Sequence, residues 1–269
     1  MMSKKKINNI RFAFFGNAPL ADAVLEELRD VGLEPKCVVT STELSPEFIQ
    51  KLAGESWDVF VVASFGAILP KELLNIPKRG VLNVHPSLLP RLRGPSPIRS
   101  AILNDEKETG VSIMLLDEEM DHGPLVAQKK VRVDTSPDGG PAHGKMLDHL
   151  LAHEGGKLLA QVLPLWTAGK LEAKPQNHDL ATYCRQFKKE DGLLDLSADP
   201  YQNLLKIRAL EGWPGTYAFF TRAGKKLRVQ ILDAHLEGSQ LIIDSVKPEG
   251  KNQMPYAAFL RSGAMPRAN

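Results

Sequence analysis

At 269 residues, with 43% apolar and 25% charged side chains, the chain has ordinary globular composition and suits one or two domains with a full core. Thirty-four basic against 32 acidic residues leave a formal charge of +2, so overall charge does not mark a nucleic-acid binder, and any RNA contact must come from local patches. Cys37 and Cys184 are far apart and form no CxxC, no apolar run approaches the roughly 20 residues of a membrane span, and the basic stretch Met1 to Asn9 is followed by no signal-peptide core, which points to a reducing cytosol.

In chain order, Ile10 to Phe15 reads as a buried strand, Gly16-Asn17 as a turn and Pro19 to Leu28 as a helix with proline in its first turn. Lys36 to Thr40 is a second strand. Ser45 suits the N-cap of a helix that has Pro46 at its first position and ends near Gly54. Asp58 to Ala63 is almost wholly apolar, as in a strand covered on both faces. This alternation predicts a doubly wound, right-handed parallel sheet. Gly16-Asn17-Ala18 is not a GxGxxG and no P-loop occurs, which argues against a nucleotide site of either type. Further on, Pro95 to Asn104 is a predicted helix, Thr109 to Leu116 and Pro124 to Val133 are predicted strands, and Asp134 to Gly140 is turn-rich. Lys145 to Leu163 carries apolar residues at helical spacing. Thr167 to Lys188 is polar and weakly periodic, as in a linker. Beyond it come a helical stretch, Asp199 to Arg208, and short strand candidates at Thr216 to Thr221, Leu227 to Leu232 and Leu241 to Val246. Regular turns separate those strands, which suggests a small β-barrel.

The chemistry concentrates between Val81 and Ile98. Val81 to His85 alternates as a strand does, so Asn83 and His85, two apart, share one face. Pro86 then turns the chain, which puts an amide and an imidazole at the carboxyl end of a strand, where open α/β sheets bind ligands. A polar pair satisfied by its own loop would look the same. Against that stand the Pro-bounded apolar turn Ser87-Leu88-Leu89-Pro90, then Arg91, Arg93 and Gly94, and the later acidic run Leu116 to Gly123 with its Asp121-x-Gly123. Together they make an acid/base constellation. Arg91 and Arg93 are open to two readings, a ligand's anionic group or plain surface charge. The spacing of His and acidic residues is not that of a zinc site, and neither Cys lies near them.

These blocks, with Phe14-Phe15-Gly16, Phe65-Gly66-x-Ile68-Leu69-Pro70, Lys189-Glu190-Asp191-Gly192 and Trp213-Pro214-Gly215-Thr216-Tyr217 in order, resemble the formyltetrahydrofolate-dependent formyltransferase family. The resemblance covers most of the chain and is to the methionyl-tRNA formyltransferase branch. It implies a Rossmann-like, mostly parallel α/β domain over residues 1–166, a linker over 167–192, and a small OB-like tRNA-binding domain over 193–269. The activity implied is transfer of the formyl group of 10-formyltetrahydrofolate to the amino group of methionyl-initiator-tRNA, for translation initiation, by a cytoplasmic monomer with no metal and no membrane. Asn83 and His85 would serve the formyl oxygen and the amine's proton, and Asp121 would hold a water that shuttles that proton. The folate pocket would be lined by Ser87, Leu88, Leu89 and Pro90, by Phe65, Gly66 and Ile68, and by Glu119 and Met120. The same triad would also serve a sugar-nucleotide N-formyltransferase or a formylfolate hydrolase, and the fold alone would serve a non-catalytic folate- or RNA-binding module. The chain departs from the branch in the short stretch between Thr40 and Asp58, where a longer basic loop is usual, and in Pro86, where glycine is common. Trp213 is expected to pack in a core, and Lys188, Lys189, Arg222, Lys225, Lys226 and Arg228 form either a phosphate-binding cluster or a solvated face.

Overall fold

The structure, a computed structural model, describes residues 10–40, 44–133 and 140–266. The basic leader and most of the turn-rich stretch after Val133 lie outside the described residues, as does part of the short segment after Thr40. The chain divides into two compact units: Met1–Pro97, Glu108–Arg132 and Asp148–Cys184 form the first, and Ile98–Lys107, Val133–Leu147 and Arg185–Asn269 the second.

The first unit is built on six strands, β1 (Phe12–Gly16), β2 (Cys37–Val39), β3 (Val59–Ala63), β4 (Val81–His85), β5 (Glu108–Leu115) and β6 (Leu125–Arg132), in the order β2-β1-β3-β4-β5-β6. β1 to β4 pair in parallel, whereas β5 and β6 join antiparallel, so the sheet is mostly rather than wholly parallel. Helices α1 (Leu20–Asp30) and α2 (Pro46–Ala53) follow β1 and β2, and the short α3 (Lys71–Leu74) follows β3. Ser45 caps α2 by accepting the Phe48 N–H at 3.2 Å. Because a strand alternates sides, Phe12 and Phe14 point into one core with α1, and Ala13 and Phe15 into the other with Trp57, Phe60 and Leu73. The first core is completed by Leu159, Leu163 and Trp166 of the long helix that ends at Thr167. That helix carries Gly155 and Gly156, which are weak helix formers. A Cβ at Gly155 would stand 2.6 Å from Val84 Cγ1, and one at Gly156 2.8 Å from Glu27 Cβ, so the pair lets the helix lie directly on β4 and α1. Residues 167–184, read as linker, stay with this unit: Leu125 pairs with Lys174 and Arg93 with Tyr183 as isolated bridges.

The second unit holds α4 (Pro97–Leu103) from Ile98 on, the start of the long helix α5 (Gly144–Thr167), and α6 (Pro200–Ala209) and α7 (Tyr256–Leu260). Its sheet has β7 (Thr216–Arg222), β8 (Lys225–Glu237) and β9 (Gln240–Pro248) as an antiparallel meander, with the two-residue β10 (Met254–Pro255) and β11 (Met265–Pro266) at its edges. Ala223 (φ 48°) and Gly224 (φ 74°) both take left-handed conformations, as the tight turn of the β7–β8 hairpin requires. Ala218, Phe220, Val229, Ile231 and Val246 pack against Leu204, Ile207 and Phe259 to form the core. Among the described residues no pairing joins β10 to β11. The expected OB-like barrel is therefore not observed closed: the five strands form an open sheet with two-residue edge strands.

Candidate active site

β4 ends at His85, with its neighbour β5 holding Ser112 opposite it and Met114 opposite Asn83. His85 is 4% exposed. Its Nε2 lies 3.0 Å from the Leu92 carbonyl oxygen. A carbonyl only accepts, so Nε2 carries the hydrogen that this contact needs. Nδ1 faces Asp121 Oδ1 at 3.5 Å. The Asn83 amide nitrogen approaches the same oxygen, also at 3.5 Å. Asn83, His85 and Asp121, spread over 38 positions of sequence, are thus brought together around one carboxylate oxygen. Both contacts are long for hydrogen bonds, as is common before a reactant draws such groups in. The other carboxylate oxygen, Oδ2, accepts the Gly94 N–H at 2.7 Å. Gly94 has φ 110°, and a Cβ there would lie 2.3 Å from the Cys184 carbonyl oxygen. Only glycine can present that N–H.

The loop between His85 and Gly94 uses its polar groups on itself. Ser87 Oγ donates to the Arg91 carbonyl at 2.7 Å. Buried Ser112 donates to the Ser87 carbonyl at 2.6 Å and accepts the Leu89 N–H at 3.2 Å. Gln128 Nε2 donates to the Leu89 carbonyl and to Ser112 Oγ, each at 2.8 Å. Leu89 is buried, Leu88 packs on Gly110 of β5, and Pro90 follows a cis bond. Ser87 to Pro90 are therefore a braced loop whose own hydroxyl and amides are largely committed. Arg93 is no surface charge: it is 1% exposed, with its guanidinium against Gln176, His178 and Tyr183.

The other expected pocket residues lie on two loops beside these strand ends. Phe65 is buried and its carbonyl accepts the Asn17 side-chain N–H at 2.6 Å, which ties the loop after β3 to the turn after β1. Gly66 has open space around it, Ile68 is 82% exposed and Met120 54% exposed. Glu119 is exposed, with its N–H given to Asp117 Oδ1 at 3.0 Å. Glu118 pairs with Lys71, joining the two loops and raising the lysine pKa through that hydrogen bond. His122 follows Asp121 in the same turn. It is half-buried, bound to Asp117 Oδ2 at 2.7 Å and stacked on His178 with ring centroids 4.1 Å apart. Sequence reading missed Asn17, Ser112, Gln128 and Gln176, because lone polar residues carry no periodic signal. Among the described residues no group of three or more His, Cys, Asp or Glu is arranged to hold a metal ion, and no helix is long and apolar enough to cross a membrane.

In the second unit, Tyr217, Phe219 and Thr221 face Gln230, Arg228 and Lys226 across the β7–β8 ladder. Arg228 stands 3.8 Å over the Tyr217 ring and Lys226 Nζ 3.6 Å over the Phe219 ring. Lys247, opposite Gln230, extends this basic face. Trp213 is 60% exposed at its turn, not packed in a core; the polar turn around it leaves the ring uncovered. Arg185 forks onto Asp191 at 2.6 and 2.7 Å, which holds that carboxyl well below the usual range.

Residues 31–162 match the family described as Formyl transferase. The chain is 36% identical over 235 residues to a methionyl-tRNA formyltransferase of Geotalea daltonii, covering 80% of this chain and 73% of that protein. Its fold is shared, at 18% identity and a TM-score of 0.66, with the methionyl-tRNA formyltransferase of Clostridium thermocellum, over 89% of this chain and 99% of that one. It is shared also, at 18% identity and a TM-score of 0.71, with HypX from Aquifex aeolicus in complex with tetrahydrofolic acid, over 93% of this chain and 47% of that one.

Proposed function

The chain belongs to the methionyl-tRNA formyltransferase family, and we propose that it moves the formyl group of 10-formyltetrahydrofolate onto the free amino group of methionyl-initiator-tRNA, with Asn83, His85 and Asp121 as the catalytic residues. The observation that carries this is the approach of the Asn83 amide and the His85 imidazole to one Asp121 oxygen, each at 3.5 Å.

The reaction makes a new C–N bond to the amine and breaks the one to the folate nitrogen. The amine attacks the formyl carbon, its oxygen gathers negative charge, the amine gives up a proton, and the departing folate nitrogen takes one. Asn83 supplies a neutral N–H donor for that oxygen. His85 is held by the Leu92 carbonyl at Nε2, so Nδ1 is its working atom. It takes the amine's proton on the side where Asp121 stabilises it, and passes it on through a water held by Asp121 to the leaving nitrogen, so that imidazole and water both end as they began. Gly94 fixes the carboxylate's second oxygen and so aims the first. Exposed Ile68 and Met120 are apolar side chains suited to cover a flat heterocycle, with the braced Ser87-Leu88-Leu89-Pro90 loop as the wall behind it. Phe65, Gly66 and Glu119 complete that pocket. The reading includes action as a monomer in the cytoplasm, where charged tRNA is found. The second unit serves as an opened OB-like domain whose Lys226, Arg228 and Lys247 meet tRNA phosphate.

The test offers purified protein the formyl donor with methionyl-initiator-tRNA, with an amino-sugar nucleotide, and with no acceptor. Formyl-methionyl-tRNA as the main product supports the assignment. Turnover of the sugar, or loss of the donor's formyl group without any acceptor, contradicts it.

A further inference from the structure

We propose that Gln176 is a positioning residue for formyl transfer, holding the backbone of Asp121, and that buried Arg93 acts through it; this rests on the role of Asp121 given above. Arg93 is a fully buried cation whose partners, among the described residues, include no carboxylate. Its Nε and Nη2 donate to Gln176 Oε1 at 3.2 and 2.7 Å, and its Nη1 and Nη2 donate to Tyr183 Oη and His178 Nδ1 at 3.2 and 2.9 Å. A guanidinium can only donate, so the Gln176 oxygen must face it, and the amide cannot be turned over. The Gln176 NH2 is thereby aimed the other way. It donates to the Asp121 carbonyl at 2.9 Å and to the Gly123 carbonyl at 2.7 Å. Gln176 is 5% exposed, and all four of its hydrogen-bonding positions are filled.

What the amide grips is an unusual turn. Asp121 has φ 49°, the left-handed region that a side-chain-bearing residue keeps when its surroundings impose it. Gly94 restrains the carboxylate and Gln176 the peptide behind it. The two ties converge on neighbouring residues, Arg93 and Gly94, so the end of the β4 loop and the Asp121 turn move as one piece. A rotated peptide at Asp121 would swing the carboxylate away from His85 and Asn83, and misplacement of about 1 Å costs up to about a hundredfold in rate.

Gln176→Glu tests this. It keeps the side chain's shape and still accepts from Arg93, yet it loses both donations to the turn. With kcat counted per donor-binding site, so that only folded protein is scored, the expected loss is about tenfold to a hundredfold, with KM for both substrates moved less than about threefold. Gln176→Asn, too short to reach both partners, serves as a second variant and should also lose at least about tenfold. A kcat per donor-binding site within about twofold of the parent in both variants overturns the proposal, whatever the thermal midpoint does. Asp121→Asn separates this failure from failure of the parent reading. If Asp121→Asn keeps the parent rate, the role of Asp121 is wrong. If it loses the rate while the Gln176 variants keep theirs, only the positioning role is wrong. Combining Gln176→Glu with Asp121→Asn should cost less than about twofold beyond Asp121→Asn alone, since one acts through the other; a full additive loss contradicts that.

Discussion

The two units use polar groups in opposite ways. In the first, polar side chains are drawn inside: Ser112, Gln176 and Arg93 are buried and brace the loop that follows His85 and the turn that carries Asp121. In the second, the β7–β9 meander sends its apolar side to Phe220, Val229 and Val246, and its cations to an outer face over Tyr217 and Phe219. Chemistry that needs its groups held to within about 0.5 Å and 10–20° calls for the first arrangement. A surface that meets a long polyanion, the role proposed for the second, needs only charge on a stable platform.

The contrast can be broken at either end. Phe220→Ala removes a fully buried ring from the second unit's core and should cost about 3–5 kcal/mol in chemical denaturation, while donor affinity of the folded protein stays unchanged. Asn83→Ala should do the reverse, lowering turnover about a hundred- to thousandfold with little change in the denaturation midpoint, as loss of an oxyanion donor does. Gly94→Ala joins the two kinds of effect. Its Cβ meets the Cys184 carbonyl at 2.3 Å at a φ of 110°. Both stability, by about 1–3 kcal/mol, and turnover should fall.

Smaller effects belong to the outer face. Arg228→Ala should raise KM for tRNA severalfold and reduce the slope of log affinity against log salt by about one, leaving donor binding alone. The smallest concerns pH. The Asp244 carboxylate, 2.8 Å from His235 Nδ1, raises the histidine's pKa. The stability this pair contributes is fully present below the unfolded imidazole value of about 6.5, and is lost as pH rises through the higher folded value. Thermal midpoints of Asp244→Asn should therefore vary less with pH in that window than those of the parent chain.

Much of the first unit was readable before any coordinates. Phe12 to Phe15 and Val59 to Ala63 are apolar on both faces, and such runs fit only a covered sheet. Asn83 and His85 could be set on one face because strand spacing leaves no choice. The antiparallel joining of β5 to β4 was not readable, since periodicity says nothing of direction. Nor was the interior position of Arg93: beside Arg91, and without an acidic neighbour, it has the look of surface charge. Its partners lie 83 to 90 positions away, in a stretch of no periodicity. Trp213 misled for the opposite reason, a large ring in a Pro-Gly turn that the fold leaves exposed.

The proposed transfer depends on His85 exchanging a proton at Nδ1 beside Asp121. Its most direct test is the single-turnover rate of formyl transfer to methionyl-tRNA by His85→Ala, with donor binding measured on the same sample. A fall of at least about a hundredfold with donor affinity held within about threefold is the predicted result. A rate close to that of the parent protein, with donor fully bound, would contradict it.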